Sequence, residues 1–366
     1  MTKLDSDCRT PACNSTYPKG GVSCSKNSFV VNQTLVFQIK FCGKCPALRL
    51  AAKRYATFKM KKIVFTILTL IIVKWCTAQN VTKTFEQEDI SYHYEELNKV
   101  ENPKALLVLF NGGQGIASKI APETSLPDSA ISYHIKTIGI DQSEFYLTDS
   151  IYSRISTIIK YVMKENGIEE NLFIGGFSLG GFTSVRFSEM AVEKNDSTMI
   201  PNAIFAIDPP LDHLDFVNYC LRELNRNCPD EEISKAGKDE ANWILNYYLL
   251  HFGDYNKDST AYIANSCFTA SQVDGGNGKY LKSVPVNMIH EIDIMWLIHE
   301  RCRDLSDANA VLSSKFINFL FQKGNKEAII TLTSNKGFRA DGRRHPHSWS
   351  IADPIDTLNW LSQYLK

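Results

Sequence analysis

From residue 105 onward, short continuous apolar runs alternate with longer stretches in which apolar residues recur every three to four positions. Residues 105–110 read Ala-Leu-Leu-Val-Leu-Phe, the pattern of a strand covered on both faces, and end directly in Asn111-Gly112-Gly113-Gln114-Gly115. Residues 135–140 predict a second strand. Residues 150–165 predict a helix with Ile151, Ile155, Ile158, Ile159 and Val162 on one face, and 171–177 a third strand. A helix over about 179–194 comes next. The strand at 203–207 is stopped by Asp208-Pro209-Pro210, because proline cannot continue a central strand. Upstream, 84–99 show partial alternation at Ile90, Tyr92 and Tyr94, which suits antiparallel edge strands.

Strands and helices in alternation imply a mostly parallel sheet flanked by helices. Residues 212–282 break that rhythm: they are helical and acidic, carry an aromatic run over 243–252, and close in Asp274-Gly275-Gly276-Asn277-Gly278. The expectation is a helical cap inserted into the sheet domain. Its aromatics Trp243, Tyr247, Tyr248, Phe252 and Tyr255 recur at helical spacing, which suits the core of that cap. Buried strands return at 284–289 and 328–332, separated by a helical stretch, and 349–364 make a final helix. No internal repeat is visible.

Composition narrows the class. With 366 residues, 44% hydrophobic and 22% charged, the chain is globular and excludes collagenous, wholly disordered and polytopic membrane proteins. The formal net charge of zero conceals a split. Residues 1–59 hold ten Lys/Arg against Asp5 and Asp7, and Lys61, Lys62 and Lys74 bring the first 79 residues to +11, so 80–366 carry −11. An acidic domain repels polyphosphate, and no nucleic-acid partner is expected.

Met60-Lys61-Lys62, an apolar run over 63–73 and Cys76-Thr77-Ala78 have the three parts of a secretory signal peptide. The run is about half the length of a spanning helix, which argues against a permanent membrane anchor. We therefore expect a signal at 60–79, a biological start at Met60, a disordered upstream extension over 1–59, and a secreted or periplasmic product over 80–366. In the extension, Cys42-Gly43-Lys44-Cys45 has the spacing of half a zinc site, but no second pair completes it, and no metal is expected. Beyond the signal, Cys220, Cys228, Cys267 and Cys302 remain. Cys220 with Cys228 is the expected disulfide because a short loop closes easily, and buried thiols are the alternative.

The most specific motif is Gly176-Phe177-Ser178-Leu179-Gly180, lying between a predicted strand and a predicted helix. It matches the G-x-S-x-G elbow, whose small residues permit a tight turn that exposes the serine hydroxyl ahead of a helix N-terminus. A competing motif is Gly113-Gln114-Gly115-Ile116-Ala117-Ser118, which approximates the dinucleotide fingerprint but lacks its third glycine. No cofactor is expected, since that reading leaves the elbow unexplained.

On these residues the region from about 100 to 366 resembles the α/β-hydrolase superfamily, in particular its serine esterase and lipase-like members. The resemblance implies an α/β-hydrolase fold with Ser178 as nucleophile, followed by an acid and then a histidine. It places the acid at Asp293, in the counterpart of a strand-G-x-x-D pattern where His290 stands in place of the usual glycine. Glu291 is a competitor, and so is Asp208, since some lipase-like members carry the acid after the preceding strand. The base is expected at His347, in His347-Ser348-Trp349 before the last helix, with His345 as the alternative. The other six histidines, His290 among them, have no comparable position. Backbone N–H groups of Leu179 and of Gly113 or Gln114 are expected to form the oxyanion hole, with Asn111 where esterases carry histidine. The implied partner is a small-molecule acyl substrate, most simply a carboxylic ester. Peptidase or acyltransferase chemistry on the same triad, or a catalytically silent binding fold, are the alternatives. The oligomeric state is left open.

Overall fold

The computed structural model describes residues 80–366. The signal expected at 60–79, the upstream extension and the Cys42/Cys45 pair lie outside the described residues. The chain forms β1 (Val81–Gln87), β2 (Ile90–Glu96), β3 (Ala105–Phe110), α1 (Leu126–Ala130), β4 (Ile135–Gly139), α2 (Asp149–Glu165), β5 (Leu172–Phe177) and α3 (Leu179–Glu193). It continues with β6 (Ala203–Ile207), α4 (His213–Leu224), α5 (Glu231–Phe252), α6 (Thr260–Asn265), β7 (Val286–Glu291), α7 (Ile294–Arg301), α8 (Asn309–Gln322), β8 (Ala328–Thr333) and α9 (Pro354–Ser362).

One eight-stranded sheet runs β1-β2-β4-β3-β5-β6-β7-β8. The pairs β1 with β2 and β2 with β4 are antiparallel, and every other pair is parallel. The first hairpin turns through Glu88 and Asp89, both at positive φ (52° and 63°), the backbone that a two-residue turn between right-twisted strands requires. Because side chains alternate across a strand, the apolar run of β3 serves two cores. Leu106, Val108 and Phe110 join the layer under α2, α3 and α8, whereas Leu107 and Leu109 join the layer under α1 and α9.

Two boundaries differ from the sequence expectation for local reasons. Pro285 offers no N–H, so the ladder of β7 begins at Val286 rather than at 284, and it runs on through His290 and Glu291, two buried polar residues paired with Asp208 and with the Lys336 and Gly337 N–H groups. The final helix divides into a short turn at Trp349–Ile351 and α9, since the Asp353 carboxylate accepts from the Ile355 and Asp356 N–H groups and starts a new helix at Pro354.

Between β6 and β7 the three inserted helices enclose a smaller core of Val217, Cys220, Ala241, Ile244, Tyr248 and Tyr262. Tyr248 is its centre, with Tyr247 and Phe252 packed against it, while Trp243 remains exposed. The disulfide corrects the expected pairing: Cys228 is bonded to Cys302, and Cys220 and Cys267 are buried thiols. Cys220 cannot serve because it lies on the buried face of α4, whereas Cys228 leaves the helix and meets Cys302 at the C-terminus of α7. The bond therefore ties the inserted helices to the segment after β7. Among the described residues no helix is long and apolar enough to cross a membrane.

Candidate active site

Sheet register brings the site together. Phe177 pairs with Ile207, and Ile207 pairs with Ile289, so Ser178, Asp208 and His290 are neighbours across β5, β6 and β7. The Ser178 N–H donates to the Ile207 carbonyl (2.8 Å) and the Asp208 N–H to the Ile289 carbonyl (2.9 Å), which extends the ladder one residue into each turn. Ser178 is held at φ 55°, ψ −119°, a strained conformation for a residue with a side chain. The turn is tight enough that a Cβ on Gly176 would collide with the Gly180 carbonyl, and one on Gly180 with the Phe110 carbonyl. Those two glycines are what allow α3 to start immediately after the serine.

His347 Nε2 stands 3.0 Å from Ser178 Oγ, and His347 Nδ1 stands 2.5 Å from Asp208 Oδ2. An ionised carboxylate only accepts, so Nδ1–H donates to Asp208, leaving Nε2 to accept the serine proton. His290 Nδ1–H donates to the other carboxylate oxygen at 2.7 Å. Burial alone would raise the Asp208 carboxyl, but the hydrogen bonds and charges of His290 and His347 outweigh it and hold the group well below the usual carboxylate range.

Asp293, the acid expected from the sequence pattern, is not brought to His347. It lies past the end of β7 as the N-cap of α7, where it accepts from the Trp296 N–H (3.0 Å) and from Arg344 Nη2 (2.8 Å). Asp208 occupies the position instead, because its strand is the direct neighbour of β5. Glu291 is also elsewhere: it accepts from the Lys336 and Gly337 N–H groups (2.8 Å each) and pairs with Arg344. These two carboxylates thus anchor, through Arg344, the loop that delivers His347.

His345, the alternative base, makes no hydrogen bond to the serine. Its Nε2 accepts from Arg301 Nη2 at 3.1 Å, and burial, followed by the charges of Arg339, His347 and Arg301, pushes its imidazole down to about 3. His290 is the functional residue that the sequence did not reveal. The one signal was its place beside Asp208, visible only once the register is known.

Asn111 ties the glycine loop to the histidine loop. Its side-chain oxygen accepts from the Gly112 N–H and from Trp349 Nε1, both at 2.9 Å, and its amide donates to the Ile116 carbonyl at 2.9 Å. A Cβ on Gly112 would lie 3.0 Å from Ser178 Cβ, so this loop abuts the elbow, with Gly113 next to it at φ 58°. Dinucleotide binding is a poor fit to this loop. A three-residue turn at Ala117–Lys119 follows it rather than a helix, and the Ala117 N–H is taken by Asp141 Oδ1 (2.7 Å). Among the described residues no group of three His, Cys, Asp or Glu is placed to hold a metal ion.

Strand order, the strained serine after β5 and the histidine after β8 decide the architecture. The fold is that of an α/β-hydrolase. No family model matches the chain, and no curated protein matches it. Among solved structures it is similar to a hormone-sensitive lipase from a metagenome library, at 12% identity and a TM-score of 0.48 over 79% of this chain and 87% of that one. It is similar also to carboxyl esterase 2 of the fungus Tuber melanosporum (14%, 0.47, 79% and 86%). A third likeness is to a monoglyceride lipase of Saccharomyces cerevisiae (12%, 0.44, 80% and 97%). The fold is read from the sheet and the elbow rather than from these distant likenesses.

Proposed function

We propose that the chain is a serine hydrolase that cleaves a carboxylic ester through an acyl-enzyme on Ser178. The observation that carries this reading is the unbroken hydrogen-bonded series from Ser178 Oγ through His347 to Asp208. In the first step Ser178 Oγ bonds to the acyl carbon while its proton passes to His347 Nε2, and Asp208 holds the imidazole and balances the charge it acquires. The carbonyl oxygen, now an oxyanion, is received by the Leu179 N–H at the start of α3 and by the N–H of Gly113 or Gln114. One such donor is worth about 3 kcal/mol of barrier. Collapse breaks the bond to the leaving alkoxide, which takes the proton from His347. Water then attacks the acyl-enzyme with His347 as base, releasing the acid and restoring Ser178.

A silent binding role is the less favoured reading because it gives no reason to hold a serine in a strained backbone with its hydroxyl against an oriented imidazole. Export is part of the proposal: the Cys228–Cys302 disulfide suits an oxidising compartment, in agreement with the signal expected at 60–79. A fluorophosphonate probe tests the catalytic reading. Labelling of Ser178 in folded protein, absent from Ser178→Ala, is expected, and an unlabelled Ser178 would overturn it. Chromogenic esters of graded chain length then measure the preferred acyl group.

A further inference from the structure

A cavity of about 250 Å³ opens from Ser178, and three arginines reach its wall: Arg222, Arg301 and Arg303. Two of them are already neutralised. Arg222 pairs with Asp307 (3.1 Å), and Arg303 pairs with Glu223 (3.1 Å) and Glu240 (3.4 Å). Arg301, in the last turn of α7, makes no ion pair with a carboxylate among the described residues. Its guanidinium lies over the Trp296 ring, 5.4 Å from the centroid, and donates to His345 Nε2.

That partner matters because of what it is not. A guanidinium has no acceptor, so His345 Nε2 must carry the lone pair and the ring is neutral. A carboxylate in the same place would cancel the arginine's charge, whereas a neutral imidazole fixes its direction and leaves the charge intact. The imidazole stays neutral because its pKa lies near 3, through burial first and then the flanking positive charges. Arg339 is not among the residues that line this cavity. It makes no ion pair among the described residues, and its guanidinium lies over Phe177, the residue before the serine, 5.6 Å from the ring centroid. The cavity lining is otherwise acidic, with seven carboxylates against three arginines, and among the described residues Arg301 is its one guanidinium without a carboxylate partner.

We infer that Arg301, aimed by His345, receives a carboxylate of the substrate, so that the enzyme takes esters bearing a carboxylate away from the scissile carbonyl. The inference deepens the reading of Ser178 as nucleophile and rests on it only for which bond is cut. A planar guanidinium with free donors suits a carboxylate in bidentate geometry. A monoanion fits better than a dianion, since Asp208, Glu291 and Asp293 line the same cavity.

Binding to the Ser178→Ala variant tests the site without any turnover, using monomethyl glutarate and its neutral counterpart dimethyl glutarate as probes in titration calorimetry. The monoester is expected to bind at least about tenfold tighter, as a charge-assisted hydrogen bond in a partly buried site implies. Adding Arg301→Gln is expected to bring the ratio to about one. Equal affinities, no binding of the monoester, or a preference that survives Arg301→Gln would overturn the inference. An unreactive Ser178 would instead sink the hydrolase reading and leave this result standing.

Discussion

His290 Nδ1 lies 2.7 Å from Asp208 Oδ1, so the carboxylate that orients His347 is itself gripped from its other side by a second histidine. The three residues follow from register, since Asp208 leaves β6 between the ends of β5 and β7. His290 is fully buried, and among the described residues its Nε2 has no hydrogen-bond partner. The acid is thereby fixed at both oxygens, one by the proposed base and one by a group that never meets substrate.

Asp208→Asn is expected to lower kcat by about 10⁴, because an amide donates as well as accepts and no longer selects the tautomer in which His347 Nε2 is free. Asp293→Asn, which weakens a helix cap and one contact to Arg344, is expected to lower it by less than about tenfold. Parallel kcat measurements on one ester decide between the two acids. The reverse ranking would return the role to Asp293.

His290 is a positioning residue, and its removal has a signature beyond lost activity. His290→Leu takes away one of the two side-chain donors that hold the Asp208 carboxyl below its usual range. The carboxylate is then fixed at one oxygen instead of two and orients His347 less firmly, so kcat is expected to fall with KM unchanged. A fall of about tenfold near neutrality is expected for losing a charge-assisted hydrogen bond of about 1.5–3 kcal/mol, partly compensated by relaxation. An unchanged kcat, or a loss that falls on KM alone, would reduce His290 to packing.

How much of this was legible in the chain follows from which interactions are local. The elbow was readable because glycines at 176 and 180 and a serine between strand and helix are a local requirement. The histidine was readable through the short His347-Ser348-Trp349 segment, whose Trp349 turns out to hold Asn111. The acid was not fixed, because Asp208 and Asp293 both follow buried strands, and only the pairing of β5 with β6 tells which strand is the serine's neighbour. The same limit hid His290. It also misplaced the disulfide, since proximity along the chain favoured Cys220 with Cys228 while the fold brought Cys302 to Cys228 across 74 residues.

Peptide mapping of the unreduced protein is expected to find Cys228 linked to Cys302, with Cys220 and Cys267 recovered as thiols. Replacing the bonded pair by serine removes the constraint on a loop of this length, which in the chain-entropy model costs about 4 kcal/mol of stability. Denaturant unfolding of Cys228→Ser/Cys302→Ser against the parent measures it. Recovery of a Cys220–Cys228 peptide would overturn the packing described for α4.

Acid should destabilise the fold in part through the inserted helices. His213, at the start of α4, is buried against the Tyr248 hydroxyl, 2.7 Å from its Nδ1, and burial pushes its imidazole down from the ordinary 6.5 to about 3. The unfolded chain therefore takes up this proton as pH falls through 6.5, while the folded protein refuses it until about 3. Between those values the unfolded state binds more protons, so stability falls as pH is lowered. From pH 7.5 to pH 5 the loss attributable to His213 is about 2 kcal/mol. His213→Gln keeps a polar partner for Tyr248 and removes the titration. Its unfolding free energy, measured in urea at both pH values, is expected to drop by about 2 kcal/mol less than the parent's over the same interval. Parallel slopes for the two proteins would show that His213 is already protonated in the folded state.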